Sequence, residues 1–128
     1  MRYKLNDITL YYHPTGDDAI KFTIRQNAIS GRYVESLNGY KPKGTTRISV
    51  QLAEEDNIGY YVGSILCADA AFDKDAYWRL DVQQQDLMIL NTIHRVVILC
   101  ADKFLWEKER FKDAYHKVSN ELSSKTGE

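Results

Sequence analysis

The side chains with the widest chemical range in this chain are three histidines, two cysteines and a run of carboxylates. Metal binding and catalysis both demand particular spacings, and these residues lack them. His13, His94 and His116 stand far apart, with no HExxH or comparable ligand pair. His13 falls among turn residues, His116 on a mostly polar helical face, and His94 on an apolar stripe, where a core or boundary histidine is expected. Cys67 and Cys100 form no CxxC pair, and Cys100 lies in so apolar a segment that its thiol should be protonated and inert. No serine sits in a GxSxG elbow, and neither a P-loop nor GxGxxG occurs. Asp69, Asp73 and Asp75 read as one acidic loop without the glycine and distal glutamate of an EF-hand. The expectation is no catalytic residue, no cofactor and no metal.

The surface chemistry says more. Nine tyrosines and two tryptophans outnumber four phenylalanines, and both types suit positions with one apolar and one wet end. Glu54, Glu55, Asp56, Asp69, Asp73, Asp75, Asp81 and Asp86 interleave with Tyr60, Tyr61, Phe72, Tyr77 and Trp78. Residues 51–90 carry a net charge of -6, against +4 before them and +1 after them. Carboxylates steer and pair while aromatics anchor, so this stretch is the expected contact for a protein with a basic surface. The contact residues expected are Glu54, Glu55, Asp56, Asp69, Asp73, Asp75 and Tyr77, with Trp78 facing the core. Gly59-Tyr60-Tyr61-Val62-Gly63 shares an aromatic pair with the base-stacking strand of RNA-recognition modules, but Ile58 stands where those carry a basic residue. Gly59 and Gly63 are read instead as places where neighbouring backbone comes close.

Size and charge set the outer limits. A chain of 128 residues, 44% hydrophobic and 27% charged, is expected to fold as a single domain spanning residues 1–128. A net charge of -1 offers no basic surplus for direct nucleic-acid binding. The first seven residues lack an apolar core, and the longest apolar run, Val96 to Ala101, is too short to span a membrane. A cytoplasmic location with reduced thiols follows as an expectation. The last residues, from Ser123, read as a frayed tail.

The elements that must position these residues follow from periodicity. Ile8, Leu10 and Tyr12, then Ile20, Phe22 and Ile24, then Ile48, Val50 and Leu52 each alternate with polar neighbours, predicting three strands. Ile58 to Cys67 predicts a fourth and Tyr77 to Val82 a short fifth. The stretch from Gln26 to Gly44 reads mostly as loop, with a helical turn near Tyr33 to Leu37. From Gln83 onward Leu87, Leu90, His94, Val97, Ala101, Phe104, Lys108, Phe111, Tyr115, Val118 and Leu122 recur at steps of three and four. One helix of that length would run roughly 60 Å, against a domain only about 36 Å across. A break near Ala101-Asp102, with Asp102 capping the second helix, is therefore predicted. A buried strand over Arg95 to Cys100 is the rival reading of that apolar segment. The fold class expected is α+β: an antiparallel sheet of four or five strands within residues 3–82, then two C-terminal helices packed on one face.

In overall character the chain resembles bacterial toxin-immunity proteins, such as those of contact-dependent inhibition and other polymorphic toxin systems. The likeness lies in a small, single-domain α+β character with an acidic-aromatic patch and no active site, within a group that has many folds. The resemblance implies one-to-one binding of a cognate toxin domain, often a basic nuclease, that blocks its active site; no membrane partner is expected from the short apolar runs. The resemblance carries over no individual residue. The alternative is a small enzyme or ligand-binding domain with a pocket between sheet and helices, using His94, Tyr61 and Asp86 as polar groups.

Overall fold

The computed structural model describes residues 4–124. The elements run β1 (Asp7–Tyr11), α1 (Asp17–Glu35), β2 (Arg47–Ala53), β3 (Asn57–Val62), β4 (Ile65–Ala71), α2 (Lys74–Arg79), α3 (Val82–Phe104) and α4 (Lys108–Ser124). The strands form one sheet in the order β1-β2-β4-β3. It is mixed, not antiparallel as expected: β1 pairs parallel with β2, β2 parallel with β4, and only β3 runs antiparallel to β4.

The correction traces to the segment around Ile20, Phe22 and Ile24, which is helix and not strand. Its buried residues are Phe22, Gln26, Ile29, Ser30 and Tyr33, a spacing of three and four, whereas Ile20 and Ile24 are 60% and 66% exposed. The alternation that suggested a strand came from two exposed isoleucines flanking one core phenylalanine. Asp17 and Asp18 occupy the first turn, where carboxylates oppose the positive end of the helix dipole. This helix also replaces most of the loop expected over residues 26–44. It carries the chain back to where β1 began, so β2 enters parallel to β1.

Two other strand readings also change. Ile58 to Cys67 is a hairpin, turning at Gly63, whose φ of 61° lies in the left-handed region. The expected fifth strand, Tyr77 to Val82, falls instead on the end of α2, the link at Leu80 and Asp81, and the start of α3; Asp73 caps the N-terminus of α2 by accepting from the Ala76 N–H at 3.0 Å. Asp81 then caps α3 through the Gln84 N–H at 2.9 Å. The helix covers Arg95 to Cys100, excluding the strand reading there, and ends at Leu105, with φ of 59°. The break is thus a few residues later than predicted, and Asp102 pairs with Lys108 and caps nothing.

Ile8, Leu10, Ile48, Val50, Leu52, Leu66, Ala68 and Ala70 point into the core from one face of the sheet. Helix α1 covers β1, α3 covers β4 and β3, and α4 packs on α3 and α1. Helix α3 supplies the centre with Ile89, Leu90, Ile93, Val96, Val97 and Cys100, while α4 contributes the narrow stripe Phe111, Ala114, Val118 and Leu122. Among the described residues no helix lies over the opposite sheet face. The tail expected from Ser123 begins inside α4, which includes Ser123 and Ser124; residues 1–3 and 125–128 lie outside the described residues.

Candidate protein-binding surface

The parallel strands β1, β2 and β4 end on the same side, so the loops after them converge. The ring nitrogen Nε2 of His13 lies 2.7 Å from Gln51 Oε1, and the Phe72 N–H donates to the Ala53 carbonyl at 3.1 Å. Lys74 donates to the His13 carbonyl and stands 5.0 Å above the Tyr12 ring. These contacts lace together three loops far apart in sequence. Glu54, Asp73, Lys74 and Asp75 line a cavity of about 340 Å³ there, with Glu55 beside it in the exposed turn. Asp17 and Asp18 open α1 at the same end, directly after β1.

The eight acids of residues 51–90 divide in two. Four serve the fold. Asp73 and Asp81 cap helices. Asp86, buried, accepts from Arg25 Nε at 2.7 Å and Nη2 at 2.6 Å. Asp56 accepts from Arg95 Nε at 2.9 Å and from the Ala71 N–H at 2.7 Å. Burial disfavours the Asp56 charge, but these bonds and the guanidinium outweigh it and hold the carboxyl below its ordinary range. Glu54, Glu55, Asp69 and Asp75 hold no such partner among the described residues. Asp69, expected in one loop with Asp73 and Asp75, is not in it. It lies within β4, on the helix-free sheet face. Among the described residues no three His, Cys, Asp or Glu side chains are grouped to hold a metal ion.

Tyr77 requires a correction. It is 0% exposed, with its ring 5.3 Å from Phe22, 5.5 Å from Phe72 and 4.9 Å from Trp78. A strand over 77–82 would have turned Tyr77 away from the core, but the helical turn of α2 rotates it inward. It cannot anchor a partner. Its hydroxyl is buried without a hydrogen-bond partner. Burial, with the Asp86 charge adding and Arg25 opposing, pushes its pKa up to about 12. Trp78 is half-buried and donates from Nε1 to the Tyr12 hydroxyl at 2.8 Å.

A more exposed apolar feature adjoins the acidic end. Tyr11, Ala19, Ile20, Thr23 and Ile24 line a groove of about 500 Å³ between β1 and α1. The outer edge of β1 is itself closed further down, where Gln26 Oε1 accepts from the Leu10 N–H at 3.1 Å and Ser30 donates to the Ile8 carbonyl.

The helix-free sheet face forms a second surface. Its register aligns Tyr11, Gln51, Asp69 and Asn57 in one row, and Thr9, Ser49, Cys67 and Tyr60 in the next. A β-bulge at Gly59 sets the second row. Without it, Tyr60 would face the helices and Tyr61 the solvent side. A Cβ at position 59 would stand 2.7 Å from the Cys67 carbonyl oxygen, so the close backbone approach expected for Gly59 is present. Gly63 meets nothing within 4 Å and is needed for its positive φ alone.

The groups suggested for an internal pocket are held apart. His94 Nδ1 lies 3.0 Å from the Tyr33 hydroxyl, with its ring 4.4 Å from Tyr115. Burial, then the charges of His116 and Lys112, push its pKa down to about 4. Tyr61 shares a 2.6 Å hydrogen bond with Thr45, and Asp86 is held by Arg25. Both cysteines are free. Cys100 is buried, which pushes its pKa up to about 12 against the opposing charge of Lys103.

No family model, curated protein or solved structure matches the chain. Among the described residues no helix is long and apolar enough to cross a membrane. Sequence reasoning missed Asp17, Asp18 and the Ile20–Ile24 groove. The signal was present as Gly16 followed by two acids, an N-terminal helix signature.

Proposed function

We propose that this chain is a protein-binding inhibitor of the immunity type, which seats the acidic end of its sheet on a basic toxin domain. The observation that carries this reading is the convergence of Asp17 and Asp18, Glu54 and Glu55, and Asp75 from three separate segments. All of these lack hydrogen-bond and ion-pair partners among the described residues. Arginines engage Asp56 and Asp86, whereas Asp17 and Asp18 serve the fold only through the α1 dipole and Glu54, Glu55 and Asp75 through no side-chain contact among the described residues, so their charges are open to an external cation-bearing surface. The groove flanked by Ile20 and Ile24 takes the anchoring role that Tyr77 cannot, since interfaces draw most of their energy from a desolvated apolar centre. The location consistent with this reading is the cytoplasm, where the toxin would act.

The reading expects a toxin domain encoded directly upstream of this chain's gene, and the direct test uses the product of that reading frame. Mixed with it, the chain should form a one-to-one complex and abolish toxin activity at equimolar ratio. Persistent activity with excess folded chain would overturn the reading.

A further inference from the structure

The helix-free sheet face carries a hollow of about 200 Å³ bordered by Ser49, Gln51, Asn57, Tyr60, Cys67 and Asp69. That is the space of roughly six or seven water molecules at ~30 Å³ each, enough for one planar head group. Its position follows from the register. Asn57 and Gln51 flank Asp69 on neighbouring strands, and Tyr60 and Ser49 flank Cys67 one pleat away. The bulge at Gly59 brings the Tyr60 ring, 66% exposed, to this face.

The chemistry of the hollow is one-sided. Asp69 brings a carboxylate with no partner among the described residues, inside a sheet where a partly covered charge favours pairing. The cation on β2, Arg47, lies two pleat steps beyond Gln51 and is engaged with Asp7 at 2.8 Å. Asn57 and Ser49 add neutral acceptors at the sides. The Tyr60 ring offers a π face to a cation. A carboxylate with lateral acceptors and an aromatic wall fits a guanidinium better than an ammonium. The guanidinium is planar, donates in parallel pairs and stacks on rings, whereas an ammonium is a compact, strongly hydrated charge.

We propose that this hollow is an arginine-binding site, in which Asp69 pairs with one guanidinium group and Tyr60 stacks on it. Resting on the reading of a basic partner, it assigns that partner an arginine placed to reach the open sheet face beside the acidic end.

The probe is N-acetyl-arginine methylamide, titrated at low salt into the ¹⁵N-labelled full chain, with N-acetyl-lysine methylamide as its counterpart. Amide shifts should concentrate at Ser49–Gln51, Asn57–Tyr60 and Cys67–Asp69. The lysine probe should bind at least fivefold more weakly. Asp69→Asn and Tyr60→Ala should each weaken the arginine probe at least fivefold, while Asp113→Asn, on the exposed side of α4 away from the sheet, leaves it unchanged. Cys67 is an internal reporter: saturating arginine probe should slow its alkylation at least twofold, with Cys100 silent because it is buried. Equal response to arginine and lysine, or shifts confined to Glu54 and Asp75, would overturn the assignment. With the toxin domain the two proposals separate. If Asp75→Lys slows association but Asp69→Asn leaves the dissociation rate unchanged, the hollow is refuted and the acidic-end reading stands. If no toxin complex forms yet the arginine probe fills the hollow as described, the immunity reading fails and the arginine site stands.

Discussion

Replacing Tyr77 with Phe should stabilise the protein. The Tyr77 hydroxyl is buried and has no hydrogen-bond partner, and leaving such a group unsatisfied costs about 1–3 kcal/mol. Removing the oxygen leaves a void of roughly 10 Å³, which at ~24 cal/mol per Å³ subtracts only about 0.2 kcal/mol. The ring's edge contacts with Phe22, Phe72 and Trp78 survive unchanged. The net gain expected is about 1 kcal/mol, or ~3–5 °C in Tm for a domain of this size. Tyr77→Ala removes the ring as well and should cost ~3–5 kcal/mol, a large share of the whole stability. Urea denaturation with a shared m-value measures both. A loss of 1 kcal/mol or more in Tyr77→Phe would refute the reasoning, because it would mean the hydroxyl makes a bond that the fold depends on.

The remaining predictions concern titration and backbone fit. The folded pKa of His94 is about 4, below its ordinary 6.5, so neutral His94 contributes stability above pH 6.5 that is lost as pH falls towards 4. His94→Gln should flatten that part of the stability–pH curve, measured by urea midpoints across the window. The folded pKa of Tyr77 is raised from 10.0 to about 12, so its contribution is intact below pH 10 and lost as pH rises towards 12. Tyr77→Phe should therefore lose less stability over that range than the parent. Gly59→Ala forces a Cβ to within 2.7 Å of the Cys67 carbonyl oxygen and should cost ~1–3 kcal/mol. It should also displace the amide resonances of Tyr60 and Cys67, which share that row.

The sequence was most legible where one periodicity ruled a long segment. The apolar repeat from Leu87 to Leu122 located both C-terminal helices, and alternation at Ile8–Leu10 and Ile48–Leu52 located two core-facing strands. It misled where a short window satisfied two periods at once. Ile20, Phe22 and Ile24 alternate like a strand, but their burial follows α1, and that substitution makes the sheet mixed. The same confusion at Tyr77 turned a core ring into an expected contact. Acidic composition raised the expectation of a binding surface, but it could not separate Asp86 and Asp56, which bind arginines far away in sequence, from Glu54 and Asp75, which have no side-chain partner among the described residues. That division depends on tertiary contacts. The hollow at Asp69 was less visible still, because a bulge at Gly59 decides which side of the sheet Tyr60 occupies.

The most direct measurement of the proposed function is the association rate of the basic toxin domain it calls for with wild-type chain and with the double variant Glu54→Lys/Asp75→Lys, at low and high salt. Exposed carboxylates act over a screening length of ~10 Å at 0.1 M salt and ~3 Å at 1 M. The double reversal should slow association by about tenfold or more at low salt, through lost steering, with the difference shrinking as salt rises and the dissociation rate changing little. Association rates equal to wild type at both salt concentrations would contradict the acidic end as the docking surface.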